Sequence, residues 1–340
     1  MQLSAKPKIG IDLMGGDTPP KELLSVLLDQ LKSDQTPYSL IFYCDDQSYE
    51  SLSQLLFDRK SAHHSFELIS KKTYISLEDP PLAAVKSKKD STLWQGLTDL
   101  KEQTIEAFIS LGNTGALLAI SHFCLKLLPS VSRAALLTQL PTAQQSVTLM
   151  DVGANTSATP NHLLEFAFMG SAYLRALGKT HFKVGLLNIG SEEHKGTQER
   201  KDAYNQIKEL HQNHPDLIPH FIGNIEPQDV FNGHCDLVIT DGFSGNIFLK
   251  SAEGTSQLIL KTLHKKAPAI LSQEQLLQLI QKLSFVFEHA VHPGALLTGV
   301  DGIVIKCHSY FDGKAIYHAI KHAKDLIEGD FIEKIKKILA

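Results

Sequence analysis

One pattern recurs along this sequence: a short apolar run is followed by a glycine-containing turn and then by a stretch with helical periodicity. The apolar runs do not alternate with polar residues, which is typical of strands covered on both faces. Strands that alternate with helices need crossover connections, so the pattern predicts a largely parallel sheet. The predicted strands are residues 9–13, 40–43, 66–69, 107–111, 148–152, 183–188, 220–222, 237–240 and 302–306. We therefore expect a three-layer α/β/α fold in which residues 1–340 form one unit with two lobes around a cleft.

Charge and cysteine content exclude several classes of protein. The chain has 340 residues and a formal net charge of −4, and its lysines are spread along the sequence. Nucleic-acid binding needs a concentrated basic face, so we expect no nucleic-acid partner. The four cysteines form no C-x-x-C pair, so we expect neither a metal site nor a disulfide framework. Without a signal peptide or an apolar run of roughly 20 residues, the sequence favours a cytoplasmic protein.

The turns after the predicted strands are the most informative motifs. In a parallel sheet these turns meet at one edge, where open α/β folds bind their ligands. Glycine lets the backbone approach a ligand closely, and the following helix presents unpaired N–H groups, so such turns favour an anion. One Gly-Asn turn alone is usually only a tight connection, but this sequence has several. The candidate anion-binding residues are Gly15, Gly16, Asp17, Gly112, Asn113, Thr114, Gly115, Asp151, Gly153, Asn155, Gly242 and Gly245.

Basic side chains stand near the same turns. Lys89, Lys195 and Lys306 are candidates for neutralising a bound anion, with a solvated surface lysine as the alternative. His308 follows the last predicted strand and is a candidate proton donor or, alternatively, a structural histidine. Neither a P-loop nor a G-x-G-x-x-G motif follows the first strand, which weakens a nucleotide-binding interpretation.

Acidic residues also cluster near the ends of the predicted strands, at Asp12, Asp17, Asp151 and Asp241. Direct contact with an anion would be repulsive. We therefore expect these carboxylates to fix the turns by accepting N–H bonds or to pair with lysines.

Helix starts are marked by capping residues. Thr159 stands before a proline, and Asp17 or Thr18 precedes a proline pair, so each predicts an N-cap. Ser272 and Gln275 have the spacing of a capping box.

Taken in order, the motifs resemble the PlsX family, the acyl-(acyl-carrier-protein):phosphate acyltransferases of bacterial phospholipid synthesis. The resemblance runs from Ile9 into the C-terminal helix. Its landmarks are residues 11–17, 88–91, 112–116, 151–155, 166–171, 186–190, 193–196, 241–246 and 249–250. The chain departs from the family near its end, where Ser309 replaces the glycine of the usual Lys-x-His-Gly and residues 294–299 lack the usual proline.

The resemblance implies a fold similar to isocitrate/isopropylmalate dehydrogenases and phosphotransacetylases. It also implies reversible transfer of a long acyl chain from acyl carrier protein to inorganic phosphate, which gives acyl phosphate. Phosphate is then the nucleophile, so neither an activated serine or cysteine nor a cofactor is required. The residues to which it assigns catalysis are Lys306, His308, Asp241 and Asn246, and Glu193 joins Lys89, Lys195 and the turn residues in substrate binding.

The resemblance further implies a homodimer that touches anionic membrane peripherally and passes acyl phosphate to a glycerol-3-phosphate acyltransferase. Residues 251–284 are the candidate for a protruding helical element, because residues 258–283 carry many apolar side chains with lysines between them. Such a segment fits a dimer interface or core helix pair, or else an amphipathic membrane contact.

Three other functions fit part of the pattern. A phosphate acetyl- or butyryltransferase would use the same phosphate site with acyl-CoA. An NAD-dependent decarboxylating dehydrogenase would need grouped arginines, which the sequence lacks. A phosphate-binding protein without catalytic activity is the third.

Overall fold

The computed structural model describes residues 6–266 and 294–340, together with Ser272, Glu274, Gln275, Gln278 and Leu279. The strands are β1 (Lys8–Asp12), β2 (Ser39–Asp45), β3 (Ser65–Lys71), β4 (Ala107–Ser110), β5 (Ala135–Pro141), β6 (Ser146–Met150), β7 (Val184–Leu187), β8 (Phe221–Ile225), β9 (Leu237–Ile239), β10 (Ala295–Thr298) and β11 (Ile303–Lys306). The helices are α1 (Pro20–Leu31), α2 (Asp46–Asp58), α3 (Pro81–Ser87), α4 (Thr92–Lys101), α5 (Thr114–Cys124), α6 (Pro160–Ala176), α7 (Gln198–Asn213), α8 (Pro227–Phe231), α9 (Gly242–Lys266), α10 (Gly313–Glu328) and α11 (Phe331–Leu339).

The chain divides into two compact units. Unit 1 comprises Met1–Ala134 and Pro293–Ala340, and unit 2 comprises Ala135–His292. Each unit contains strands with helices packed against them, which is the α/β class that the alternation of strands and helices predicts. That the units form two lobes around one cleft stays a prediction.

The strands of unit 1 lie in the order β3-β2-β1-β4-β11-β10. All neighbours are parallel except β10, which runs antiparallel to β11. The chain moves outward from β1 to β3 and then returns to β4 on the other side of β1. Right-handed crossovers therefore place α1 and α2 on one face and α3 and α4 on the other. In agreement, α4 packs against α5 and the strands, whereas α1 packs against α2 and α10.

The strands of unit 2 lie in the order β5-β6-β9-β7-β8. Only β5 is antiparallel, as the partner of β6 in a hairpin. The helices α6 and α7 pack against each other, and α9 packs against β5 and β6. Apart from Phe221 and Ile222 in β8, the apolar side chains of these strands are buried or nearly so, which explains why their sequences do not alternate.

The nine predicted strands are present, and their ends differ from the predicted ends by at most three residues. Strands β5 and β10 were not predicted. Both join an antiparallel neighbour through a short connection, so neither is followed by the turn and helix that identify the parallel strands.

The predicted helix caps have three outcomes. Thr159 is confirmed as the N-cap of α6, where its side chain accepts a bond from the His162 N–H. The Ser272–Gln275 pair makes both bonds of a capping box, at 3.0 and 3.2 Å. The prediction of Asp17 or Thr18 as the cap of α1 is wrong, because α1 begins at Pro20 with Pro19 as its N-cap and without a side-chain cap bond.

Among the described residues, no helix is both long enough and apolar enough to cross a membrane. Residues 251–284 were predicted to form a protruding helical element, and the structure describes only part of this range. The described part is the end of α9 up to Lys266 and the isolated positions named above.

Two glycines inside helices predict opposite effects of the same substitution. A Cβ on Gly96 in α4 would lie 2.0 Å from Cε2 of the buried Phe108, whereas one on Gly254 in α9 would meet no atom within 4 Å. Gly96→Ala should lower the free energy of unfolding by about 1–3 kcal/mol through overpacking. Gly254→Ala should raise it by up to about 1 kcal/mol through helix propensity. Urea denaturation of both variants beside the wild type tests this, and equal effects would contradict the packing of α4 on β4.

Candidate anion-binding site

The first candidate site lies where the chain direction reverses in unit 1. Strands β1 and β4 are neighbours, and the chain leaves them in opposite directions, which is the topological switch point at which α/β sheets bind ligands. The turns after these strands are in contact: a Cβ on Gly15 would lie 3.0 Å from Cα of Gly112. Gly15 has φ of +77°, a conformation that favours glycine. The prediction that these turns meet is confirmed within unit 1.

The turn after β4 presents unused backbone donors. Asn113 caps α5 by accepting the Ala116 N–H at 3.1 Å, and the Gly112 N–H bonds to Oγ of Ser110. Within the described residues, no hydrogen bond takes up the backbone N–H groups of Asn113, Thr114 or Gly115. Three adjacent free N–H groups at the positive end of a helix form an anion-binding arrangement.

The Asn113 side chain also fixes the turn from its other side. Its Nδ2 lies within 3.0–3.3 Å of the carbonyl oxygens of Ser76, Leu77 and Asp79. Asn113 therefore orients both the start of α5 and the loop that packs on it.

Lys306 adds a positive charge beside this turn. It is the last residue of β11, pairs in register with Ser110, and is buried. Its Nζ donates to the carbonyl oxygen of Leu111 at 3.3 Å and to that of Cys307. Lys306 therefore lies beside the turn after β4, and its predicted role in catalysis stays a prediction.

The end of the β11 turn reveals how the chain accommodates Ser309. Ser309 is not among the residues with positive φ, so a glycine is not required there. Its hydroxyl donates to Oδ2 of Asp17 at 2.7 Å, and its carbonyl oxygen accepts the Asp17 N–H at 2.8 Å. His308 stacks on Tyr310, with ring centroids 5.3 Å apart. Asp17, a predicted anion-binding residue, thus joins the β1 turn to the β11 turn.

Burial changes the pKa of two acidic groups near these turns. Asp12 is 2% exposed, and its carboxylate accepts the Met14 N–H at 3.1 Å, as expected for an acid that fixes a turn. Burial raises the pKa of Asp12 to about 7. Burial likewise raises the pKa of Cys307 to about 12, so this thiol is a poor nucleophile.

Lys89 stands apart from this arrangement. It is exposed just beyond the end of α3, whereas its neighbour Lys88 bonds Asp79 at 2.6 Å and the Tyr74 carbonyl oxygen at 3.1 Å. The predicted role of Lys89 in substrate binding stays a prediction.

In unit 2, Asp151 organises the turn that follows β6. Its buried carboxylate accepts the backbone N–H groups of Gly153, Ala154 and Asn155 at 2.7–3.1 Å, as well as the Asn155 side chain. Burial raises the pKa of Asp151, while these bonds favour its charged form. The N–H groups predicted to hold an anion in this turn are therefore already bonded to Asp151. The expectation that the acid fixes the turn describes it correctly.

The turn after β9 packs directly on this loop. The Gly242 N–H donates to the Asn155 carbonyl oxygen at 2.7 Å, and a Cβ on Gly245 would lie 1.9 Å from the Asp151 carbonyl oxygen. Asn246 is exposed, and its side chain lies 3.8 Å from the position of a Cβ on Gly153. The predicted meeting of these two turns is confirmed within unit 2.

Asp241 caps α9 at this turn. Its Oδ1 accepts the Ser244 N–H at 2.8 Å, and its Oδ2 accepts the Ser244 hydroxyl at 2.9 Å. Oδ2 also forms an ion pair with Arg200. The resemblance implied catalysis by Asp241, whereas both of its oxygens are used to hold the start of α9.

Two asparagines hold the loop that carries Lys195. Asn188 Nδ2 donates to the carbonyl oxygen of Lys195 and to Oδ1 of Asn224, both at 3.1 Å, and Asn224 Nδ2 donates to the Glu192 carbonyl oxygen at 2.8 Å. The Lys195 side chain is 41% exposed, with Nζ 3.8 Å from the carboxylate of Glu192. Its ammonium group is thus available to a ligand.

Glu193 belongs to the same loop but is paired with α7. Its Oε1 accepts bonds from Tyr204 and Lys208, each at 2.7 Å, and these bonds lower its pKa. A substrate contact by Glu193 would have to coexist with these bonds, and its predicted binding role stays a prediction.

Arg200 is the residue that sequence reasoning missed. Its side chain is only 12% exposed, and it bonds the carbonyl oxygen of Leu187 as well as Asp241. The available signal was its position in the first turn of α7, where the helix dipole disfavours a cation.

Comparisons with known proteins agree with this fold. A family model described as "Fatty acid synthesis protein" matches residues 7–334. A protein of Chlamydia caviae named "Phosphate acyltransferase" is 39% identical over 334 residues, which cover 98% of this chain and 99% of the relative.

Solved structures support the α/β fold class. A phosphotransacetylase from Streptococcus pyogenes is similar with a TM-score of 0.63 at 17% identity, over 95% of this chain and 94% of its own. A putative 4-hydroxythreonine-4-phosphate dehydrogenase from Salmonella typhimurium has a TM-score of 0.53 at 12% identity, over 95% of this chain and 100% of its own. These likenesses confirm the predicted relation to phosphotransacetylase and dehydrogenase folds.

Asp12 predicts a pH dependence of stability. Because its pKa in the folded protein is about 7, above the ordinary value of 3.8, the folded state holds the proton more tightly than the unfolded state. Wild-type stability should therefore fall as pH rises from about 4 to about 7. The Asp12→Asn variant has no carboxyl group at this position to lose a proton. Its free energy of unfolding, relative to that of the wild type, should therefore increase by on the order of 2 kcal/mol between pH 5 and pH 8.

Urea denaturation at the two pH values measures this difference. Asp216→Asn is the matched control, because Asp216 is exposed and its substitution should shift stability equally at both pH values. If Asp12→Asn changed the free energy of unfolding equally at both pH values, this would contradict a raised pKa of the buried Asp12 carboxyl.

Proposed function

Because the chain belongs to the fatty acid synthesis protein (PlsX) family, whose curated relatives are phosphate acyltransferases, we propose that it transfers a long fatty acyl group from acyl carrier protein to inorganic phosphate. The reaction is reversible and gives acyl phosphate and free carrier protein. Acyl phosphate is a reactive acyl donor, and we assign its use to a glycerol-3-phosphate acyltransferase in phospholipid synthesis.

The free N–H groups of the turn after β4 carry this proposal. Asn113, Thr114 and Gly115 present three donors at the start of α5, and the buried ammonium group of Lys306 lies next to them. An arrangement with several backbone donors and one fixed positive charge suits a phosphate dianion. We assign these groups of unit 1 to phosphate binding.

The proposed reaction needs no protein nucleophile. An oxygen of phosphate attacks the thioester carbonyl carbon, a C–O bond forms, and the C–S bond to the carrier breaks. The enzyme aligns the two reactants and stabilises the negative charge that develops on the carbonyl oxygen. Backbone donors of the turn and the Lys306 ammonium group supply this stabilisation.

The departing thiolate takes up a proton at the end of the reaction. We retain His308 as the proposed donor, since it follows Lys306 in the β11 turn and its ring is held against Tyr310. A thiol has an ordinary pKa near 8.5, so the thiolate is an acceptable leaving group and the contribution of His308 is modest.

The activity is tested directly with palmitoyl-acyl carrier protein. Phosphate-dependent release of the free carrier thiol, together with acyl hydroxamate after hydroxylamine trapping, is the expected result. Acetyl-CoA and butyryl-CoA run in parallel, and a preference for them would instead identify a short-chain phosphotransacylase. Absence of release from every thioester would overturn catalysis and leave a phosphate-binding protein.

Lys195→Ala tests whether unit 2 contributes to phosphate binding. Loss of its exposed ammonium group should raise the KM for phosphate by on the order of 10-fold, equivalent to about 1.4 kcal/mol, and change kcat much less. The control is Lys337→Ala, which removes an exposed lysine from α11. An unchanged phosphate KM would remove Lys195 from the site.

We further propose that α9 mediates self-association and a peripheral membrane contact. The side chains of Leu258 and Ile259 are 65% and 50% exposed, and Lys261, Lys265 and Lys266 follow on the same helix. Apolar side chains beside lysines fit both a second copy of the chain and the surface of an anionic membrane. We assign the homodimer and the membrane contact to this end of α9 and the segment that follows it.

Leu258→Glu should weaken both contacts, because it places a carboxylate in an apolar patch. We expect wild-type protein to have twice the mass of one chain by light scattering and to float with anionic vesicles. Leu258→Glu should shift toward the monomer mass and float several-fold less. Leu82→Glu, at a side chain 72% exposed on α3, is the matched control. A monomeric wild type that stays off anionic vesicles would contradict both assignments.

A further inference from the structure

Arg200 occupies a position that helix stability does not favour. It lies in the first turn of α7, where the partial positive charge of the helix end repels a cation. Its guanidinium is nonetheless largely buried, with 12% of the side chain exposed, and burial lowers its pKa. A buried cation at this end of a helix must therefore be stabilised by other contacts.

Those contacts connect two of the turns in unit 2. Arg200 Nη1 donates to the carbonyl oxygen of Leu187, at the end of β7, at 3.0 Å. Nη2 reaches the β9 turn, where it pairs with Asp241 and lies 3.3 Å from Oγ1 of Thr240 and 3.4 Å from Oγ of Ser244.

The stem of the same side chain supports the Lys195 loop. A Cβ on Gly196 would lie 3.1 Å from Cβ of Arg200, so the backbone directly after Lys195 packs on this residue. One side chain thus touches both the loop that carries Lys195 and the turn that begins α9.

The ion pair also determines the charge at the start of α9. Asp241 brings a negative charge to this turn, and an unpaired carboxylate there would oppose the binding of phosphate. Arg200 cancels that charge while its fork leaves Asp241 free to accept the Ser244 N–H.

We propose that Arg200 is a positioning residue for phosphate binding in unit 2. It acts by neutralising Asp241 and by holding the Lys195 loop against the start of α9. This inference rests on the proposed function, because it requires the contact between Lys195 and phosphate that is proposed above. Arg200 itself need not touch the phosphate.

Calorimetric titration of inorganic phosphate into the protein, without acyl substrate, measures the effect separately from catalysis. Arg200→Gln should weaken phosphate binding by on the order of 10-fold or more, because it leaves Asp241 charged and unpaired. Arg200→Lys should retain part of the affinity, since it restores the charge without the fork. Arg175→Gln, at an arginine in the last turn of α6, is the matched control and should bind like wild type.

The double variant Arg200→Gln with Asp241→Asn separates charge from structure. Removing the carboxylate restores neutrality, so its phosphate affinity should recover to within about 3-fold of wild type. A purely structural role predicts the opposite, because the double variant lacks both partners and should bind no better than Arg200→Gln. Thermal melts of all variants show whether each is folded.

The outcomes distinguish this inference from the proposed function. Wild-type protein that binds phosphate but releases no carrier thiol would overturn the acyltransferase and leave the role of Arg200 standing. Wild-type affinity in Arg200→Gln, or no recovery in the double variant, would overturn the role of Arg200. Failure of the wild type to bind phosphate at all would overturn it as well.

Discussion

Buried carboxylates that accept backbone N–H groups are the interaction on which the turns depend. Asp12 is the last residue of β1 and accepts the Met14 N–H, and Asp151 directly follows β6 and accepts three N–H groups of the next turn. Asp241 does the same for the first turn of α9. A carboxylate bonded in this way shapes a turn from within, which explains how acids can line the edge of a sheet that is proposed to bind an anion.

The same interaction determines how many backbone N–H groups each turn can offer to a ligand. After β6, the carboxylate of Asp151 takes up the donors, so the loop is rigid but offers few N–H groups to a ligand. After β4, an asparagine caps the helix instead, and three N–H groups have no hydrogen bond to any residue that the structure describes. Glycine-containing turns that look alike in sequence therefore differ in function, because they differ in the side chain that accepts their backbone N–H groups. Free donors are the better indication of an anion site than glycine content.

The fold and the composition of the turns were predictable because they follow from local patterns. Continuous apolar runs identified the parallel strands, and their shared edge brought Gly15 next to Gly112 and Gly242 next to Asn155. Strands β5 and β10 were not predicted, because a strand with an antiparallel partner needs no helix after it. The partners of individual N–H donors could not be predicted from the sequence. Whether the Gly153 N–H bonds a ligand or Asp151 depends on the orientation of the Asp151 side chain and not on residue spacing.

Arg200 and Ser309 show why departures from a family pattern are informative only once contacts are known. Read as a sequence, Ser309 is the loss of a glycine from a catalytic turn. In the structure its backbone has no need of glycine, and its hydroxyl adds a bond to Asp17 that a glycine lacks. Arg200 likewise seemed an ungrouped arginine, although it binds an acid 41 positions later in the chain. Both residues act by joining neighbouring turns, so the precision of the proposed site depends on side chains that need not meet the substrate.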